Sequence, residues 1–157
     1  MQQHARIAEA TFIRNDNLRP IRRGRGRPIH STLVSFSAAY FAGAFVADVV
    51  YWQTPDVLWE RFSIWLIVAG LVMAGLAVFA YVINILAGRR RWGGPTWPRL
   101  LGYAVAVCLA VINAFVHSRD GYTAVVPDGL MLSASVVVVL LLTEIATALV
   151  NRRRVGG

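Results

Sequence analysis

The sequence predicts an all-α integral membrane protein, a four-helix bundle threaded up-down-up-down. Three observations predict it. Hydrophobic residues make up 57% of the 157 residues and charged residues only 15%, against roughly 25% in a soluble domain. Four apolar runs each approach the ~20 residues that cross a bilayer as a helix. The arginines alternate with those runs, crowding the first, third and fifth polar segments and avoiding the second and fourth.

The chain opens with a basic tail, residues 1–27, which reads as mobile, solvated and cytoplasmic. It is polar and lacks the apolar core of a secretory signal, so no cleaved leader is expected. Its "RGRP" (residues 24–28 read GRGRP) resembles the core of an AT-hook, whose arginines lie in a narrow minor groove. A few residues before an apolar run, the same string is expected instead to be a topogenic flank touching anionic lipid heads. No nucleic acid is expected as a partner.

The membrane domain then covers residues 28–152. Its first span is expected at about 32–52, "TLVSFSAAYFAGAFVADVVYW", the second at 62–87, the third at 100–116 and the fourth at 129–150, with residues 153–157 as the C-terminus. No proline interrupts a run, and none alternates polar with apolar as a barrel strand would. Helices satisfy their own backbone in lipid, which makes them the natural choice. Short connections favour antiparallel neighbours.

The charges orient the bundle. The formal net charge is +8, and all sixteen basic side chains are Arg. Fourteen lie in the tail, in the loop "GRRRWGGPTWPR" or after the fourth span, leaving Arg61 and Arg119 in the other two loops beside Asp56, Glu60, Asp120 and Asp128. Basic flanks stay in the cytoplasm. Both termini are therefore expected on the cytoplasmic side of a bacterial inner membrane. Trp52, Trp59 and Trp65 are then expected at the outer interface, and Trp92 and Trp97 at the inner one.

Intramembrane polar residues are the candidates for function, because they are costly in lipid and face protein or cavities. In span one, Ser37, Tyr40, Ala44 and Asp48 share a helical face. In span four, Thr143, Glu144, Thr147 and Asn151 form a similar stripe. By depth, Asp48 is expected with Asn113 in an outer polar layer, and Glu144 with Asn84 in an inner one. Interhelical hydrogen bonding is the plain reading of both; a proton pathway and a partner contact are the alternatives. Small residues at a spacing of four, Gly102, Ala106, Ala110 and Ala114 in span three and Ala39, Gly43 and Ala47 in span one, offer close helix approach.

His30 sits where span one leaves the interface. It reads either as an interfacial histidine or as a weak candidate haem ligand or protonatable switch. The chain's other histidines are His4 and His117. His117 is expected at the outer surface, some ~30 Å of hydrocarbon away from His30, so the two are not expected to share a haem. Tyr103 is the alternative ligand nearest in depth. No cofactor is expected, and no metal, since no His/Cys/Asp/Glu cluster has ligand spacing. Cys108, the single cysteine, reads as a small membrane-buried residue. No Gly-rich phosphate loop or Ser/His/Asp set is present, so an enzyme is not expected.

The stretch "GRPIHSTLVSFSAAYFAGAFVADVVYW" resembles the opening span of a bacterial membrane family, the domain of unknown function numbered twenty-two thirty-one. Its members begin Gly-x-Pro-x-His-Pro-x-Leu-Val-x-Phe-Pro, with an Asp near the far end of the span. Gly26, Pro28, His30, Leu33, Val34, Phe36 and Asp48 match; Ser31 and Ser37 stand in place of two prolines. Many members carry a histidine early in span three, where this chain has Leu101, Gly102 and Tyr103. The resemblance extends over residues 26–154 by layout. Some relatives are fused to Rieske iron–sulfur domains, which implies a setting in respiratory electron transfer. With the residues, it points to a non-catalytic accessory subunit that binds a membrane-protein partner, or a second copy, in an energy-transducing complex. A small haem-binding or proton-handling protein using His30, Asp48 and Glu144 is the alternative.

Overall fold

The structure, a computed structural model, describes residues 29–54, 56–88, 97–119 and 125–155. The tail, Arg89 to Arg91, Trp92 and Asp120 lie outside the described residues. Four helices account for nearly all of the rest: α1 (Ile29–Gln53), α2 (Val57–Leu86), α3 (Trp97–Ser118) and α4 (Leu130–Val155). A wide turn at 125–129 leads into α4, and no strand occurs among the described residues. All four helices are long and apolar enough to cross a membrane. Even α3, with 22 residues, is about 33 Å long at 1.5 Å per residue, which covers a hydrocarbon core of ~30 Å.

Helices α1, α2 and α3 begin three to five residues earlier than the apolar runs do, because a helix takes polar residues into its first turn, whereas α4 begins at Leu130, one residue after the expected start. Asp56 caps α2, its carboxylate accepting from the Leu58 backbone N–H at 3.0 Å, and Glu60 and Arg61 follow within the helix. Such a cap satisfies one of the donors that a helix start leaves open. At the other end, Gly88 at φ 65° closes α2, the left-handed conformation that glycine adopts without a Cβ clash. Helix α4 continues beyond the expected boundary at Val150 through Asn151, Arg152 and Arg153.

Two hairpins make the bundle. α1 packs chiefly on α2 and α3 chiefly on α4; α1 then meets α4, and α2 meets α3 more thinly. Gln53, Val57, Ser118 and Leu130 mark one end, here the distal end. Ile29, Leu86, Trp97 and Val155 mark the other, the terminal end.

The interior is made of small and polar side chains around a few bulky ones. Phe41, Ala106, Ala110, Val136 and Leu140 form a buried cluster, while Trp65, Phe79, Phe115 and Leu142 point outward. This distribution suits lipid, where helices associate through close packing and hydrogen bonds rather than by hiding large apolar side chains. Gly102 is the closest approach: a Cβ there would overlap Thr143 Oγ1 across the α3–α4 seam. Of the other small residues at spacing four, Ala47, Ala106 and Ala110 are buried, Gly43 lies beside Leu66, and Ala39 is exposed. Ser37 Oγ donates to the Gly70 carbonyl at 2.9 Å and Ser63 Oγ to that of Ala44 at 3.3 Å, tying α1 to α2.

Candidate functional site

The chemistry concentrates about a turn inside the distal end. Asp48 lies five residues before the end of α1, or about 7.5 Å along its axis. His117 occupies the last turn of α3, and Ser133 the first turn of α4. Ser133 Oγ donates to Asp48 Oδ2 at 2.5 Å. Asn113 Nδ2 donates to Ser133 Oγ at 2.7 Å. His117 Nε2 faces Asp48 Oδ1 at 3.2 Å, and its Nδ1 faces the Asn113 carbonyl, one turn earlier, at 3.0 Å. The Asp48 and His117 side chains are both fully buried. Three helices thus meet at one carboxylate. Glu60, buried in the first turn of α2, is close enough to act electrostatically on His117. Gly129 keeps the space open: a Cβ there would stand 2.8 Å from His117 Cε1.

The donor count has a consequence. The Asn113 carbonyl only accepts, so His117 Nδ1 carries a hydrogen. A neutral imidazole would then turn the Nε2 lone pair toward a carboxylate oxygen. The contact is attractive only when a proton lies between Nε2 and Oδ1, as imidazolium with carboxylate or as imidazole with carboxylic acid. Either way the pair is neutral overall. That matters inside a bilayer, where an isolated buried charge is far more costly than a compensated pair. Asn113 Oδ1, also buried, has no partner among the described residues.

The expected polar layers fare differently. Asp48 and Asn113 do come together, joined through Ser133, and the layer gains His117. His117 does lie at the end opposite His30, as its expected depth requires, but it is buried inside the bundle rather than at the surface: it is 6% exposed. Its own span was expected to stop at Val116, but α3 continues to Ser118 and keeps the ring inside the bundle. Glu144 and Asn84 do not form a layer. Asn84 Nδ2 donates to the Ala80 carbonyl of its own helix at 2.8 Å. Glu144 instead takes Arg99 Nη2 at 2.8 Å and the Tyr103 hydroxyl at 3.3 Å. The stripe on span four divides for the same reason: Thr143 and Thr147 face inward and bond the carbonyls four residues earlier, while Glu144 and Asn151 are exposed. One residue of helical rotation, about 100° at 3.6 residues per turn, separates Thr143 from Glu144.

His30 stands in the first turn of α1 at the terminal end, opposite His117, with its ring edge-on to Tyr81 at 6.0 Å between centroids. It helps line a groove of about 720 Å³ between α1, α2 and α3, together with Arg99, Tyr103 and, deeper, Ala74, Gly75 and Cys108. The groove follows from the thin α2–α3 contact. Cys108 is exposed to it rather than enclosed in the core. Among the described residues no three His, Cys, Asp or Glu side chains gather to hold a metal ion.

A family model described as "Predicted membrane protein (DUF2231)" matches residues 26–156. No curated protein and no solved structure matches the chain.

Proposed function

We propose, for a chain that belongs to the DUF2231 family of membrane proteins, a non-catalytic role as an accessory subunit of an energy-transducing membrane complex. One observation carries this reading: the buried acid and base close on each other. Asp48, His117, Asn113 and Ser133 clamp α1, α3 and α4 together, which is the use of polar groups as interhelical glue. A bundle with a largely apolar outer surface is what a partner's helices pack against. The energy-transducing setting rests on the Rieske fusions among relatives. In this reading both termini are cytoplasmic and the membrane is the bacterial inner membrane, as the arginine distribution favours. The test is purification in mild detergent from the native host. A stoichiometric co-purifying membrane chain supports the reading; a protein that always runs alone overturns it.

A second reading, proton handling, is favoured by the buried His117 Nε2–Asp48 Oδ1 contact beside Asn113 Oδ1, an acceptor without a partner among the described residues. Intramembrane Asp and His mark proton relays elsewhere. Proteoliposomes under a pH gradient separate the two. Flux that disappears in Asp48→Asn while the fold persists would favour the second reading; proteoliposomes no leakier than protein-free vesicles would exclude it.

A further inference from the structure

We propose that the groove between α1, α2 and α3 is a binding site for one anionic phospholipid, with its phosphate at Arg99 and one acyl chain running toward the middle of the membrane. Four features carry this. The first is the division of the lining. Arg99, Tyr81, Tyr103, His30 and Ser31 stand at the terminal end, and the remainder of the wall is almost entirely apolar. The second is length. From Arg99 to Val111 the wall follows twelve residues of α3, about 18 Å, against ~15 Å for half of a 30 Å hydrocarbon core. The groove has the depth of a single leaflet. The third is a donor without an acceptor. Glu144 occupies Arg99 Nη2, but Arg99 Nε is buried and has no partner among the described residues. A phosphate oxygen supplies what that N–H lacks, and a charge-assisted bond to phosphate is stronger than a neutral one. The fourth is charge. Besides Arg99, thirteen of the other fifteen arginines fall in the stretches of sequence that adjoin the helix ends on this side. Basic pockets between membrane helices take anionic head groups in this way.

Glu144 opposes the assignment locally, since its carboxylate lies beside Arg99. Its pairing with Nη2, and with the Tyr103 hydroxyl, leaves that carboxylate engaged on the α4 side, away from the groove lining. The site differs from diffuse attraction of a basic flank to a membrane surface. It holds one molecule, between helices, by head and tail together.

The experiment uses the full chain reconstituted into phosphatidylcholine vesicles doped with a minor share of phosphatidylglycerol, then released for native mass spectrometry. The expected result is one retained phosphatidylglycerol per chain, despite the excess of phosphatidylcholine. Two variants act on different halves of the site. Arg99→Gln, made together with Glu144→Gln so that no carboxylate is left alone, removes the head contact and should abolish the preference. Gly75→Leu fills the groove from α2, where a Cβ meets nothing within 4 Å, and should abolish retention itself. Thermal melting in detergent checks that both variants stay folded. Equal retention of the two lipids, or retention unchanged in both variants, overturns the proposal. So does a mass of two chains that Gly75→Leu returns to one, which would assign the groove to a second copy. A co-purifying isoprenoid quinone from host membranes, displaced by Gly75→Leu, would assign it to a different amphiphile and overturn the proposal equally.

Discussion

Asp48 is the residue on which the interior depends. Its two oxygens take contacts from α3 and α4, and its side chain has no exposed surface. Removing one member of a buried charge pair leaves the other uncompensated, at a cost of about 3–5 kcal/mol. A neutral interhelical hydrogen bond in a membrane averages only ~0.6 kcal/mol. Asp48→Ala should therefore destabilise the bundle several-fold more than Ser133→Ala, although both delete a partner in the same network. Unfolding in mixed micelles with increasing dodecyl sulfate measures the difference. Similar small losses in the two variants would show that His117 carries no charge that depends on Asp48. Gly129 offers an independent probe. Gly129→Val drives side-chain atoms into the His117 ring and should cost about 1–3 kcal/mol, as overpacking does, without altering any polar group.

At the scale of the elements, the pairing of helices follows from where small residues and hydroxyls fall. Gly102 admits Thr143 at the α3–α4 seam, and Ser37 and Ser63 stitch α1 to α2 through backbone carbonyls. The α2–α3 seam has less contact, and the groove opens along it. The Arg99–Glu144 pair bridges α3 and α4 at the terminal end with both side chains 40% or more exposed. Exposed ion pairs contribute at most about 1 kcal/mol. Glu144→Gln should accordingly assemble normally and melt within that margin of the parent, since the amide still accepts from Arg99 and Tyr103. A collapse of the bundle in this variant would mean that Glu144 sits in a far less polar setting than its exposure implies.

At the scale of the whole molecule, the helix ends at Gln53, Val57, Ser118 and Leu130 face one side of the membrane, and those at Ile29, Leu86, Trp97 and Val155 face the other. In the reading proposed above, the arginine distribution favours the cytoplasm for the latter. With Cys108 replaced, cysteines introduced at Thr54 and Thr123 should react with an impermeant thiol reagent added to intact spheroplasts. One introduced at Thr96 should react only after lysis. The reverse pattern would invert the bundle without changing any contact within it. Haem is decided at the same scale. His30 and His117 stand at opposite ends, and His117 already uses both ring nitrogens. The isolated protein, expressed with ample haem, should give no pyridine haemochrome band; a stoichiometric haem lost in His30→Ala would refute this.

What the sequence determined by itself is local or additive. The number of spans, their approximate positions and the helical class follow from apolar length; the placement of the arginines along the chain adds a favoured sidedness, which the thiol-labelling experiment tests. Hydropathy needs no knowledge of neighbours, because each span must satisfy lipid along its own length. The depth of Asp48 and Asn113 was legible for the same reason, since 1.5 Å per residue places them at one level. Rotation about the helix axis was not. Thr143 and Glu144 differ by one residue, and only the docking of α4 against Gly102 decides which of them faces inward. The end of α3 was hidden too: His117 is polar, so apolar content stops before it, while the helix continues and buries the ring. His117 and Ser133 join Asp48 through contacts 69 and 85 residues apart in sequence. No local pattern encodes such a meeting. Tertiary packing decided it, because small residues set how closely the helices approach, and a buried carboxylate is stable in lipid only where other helices bring it donors.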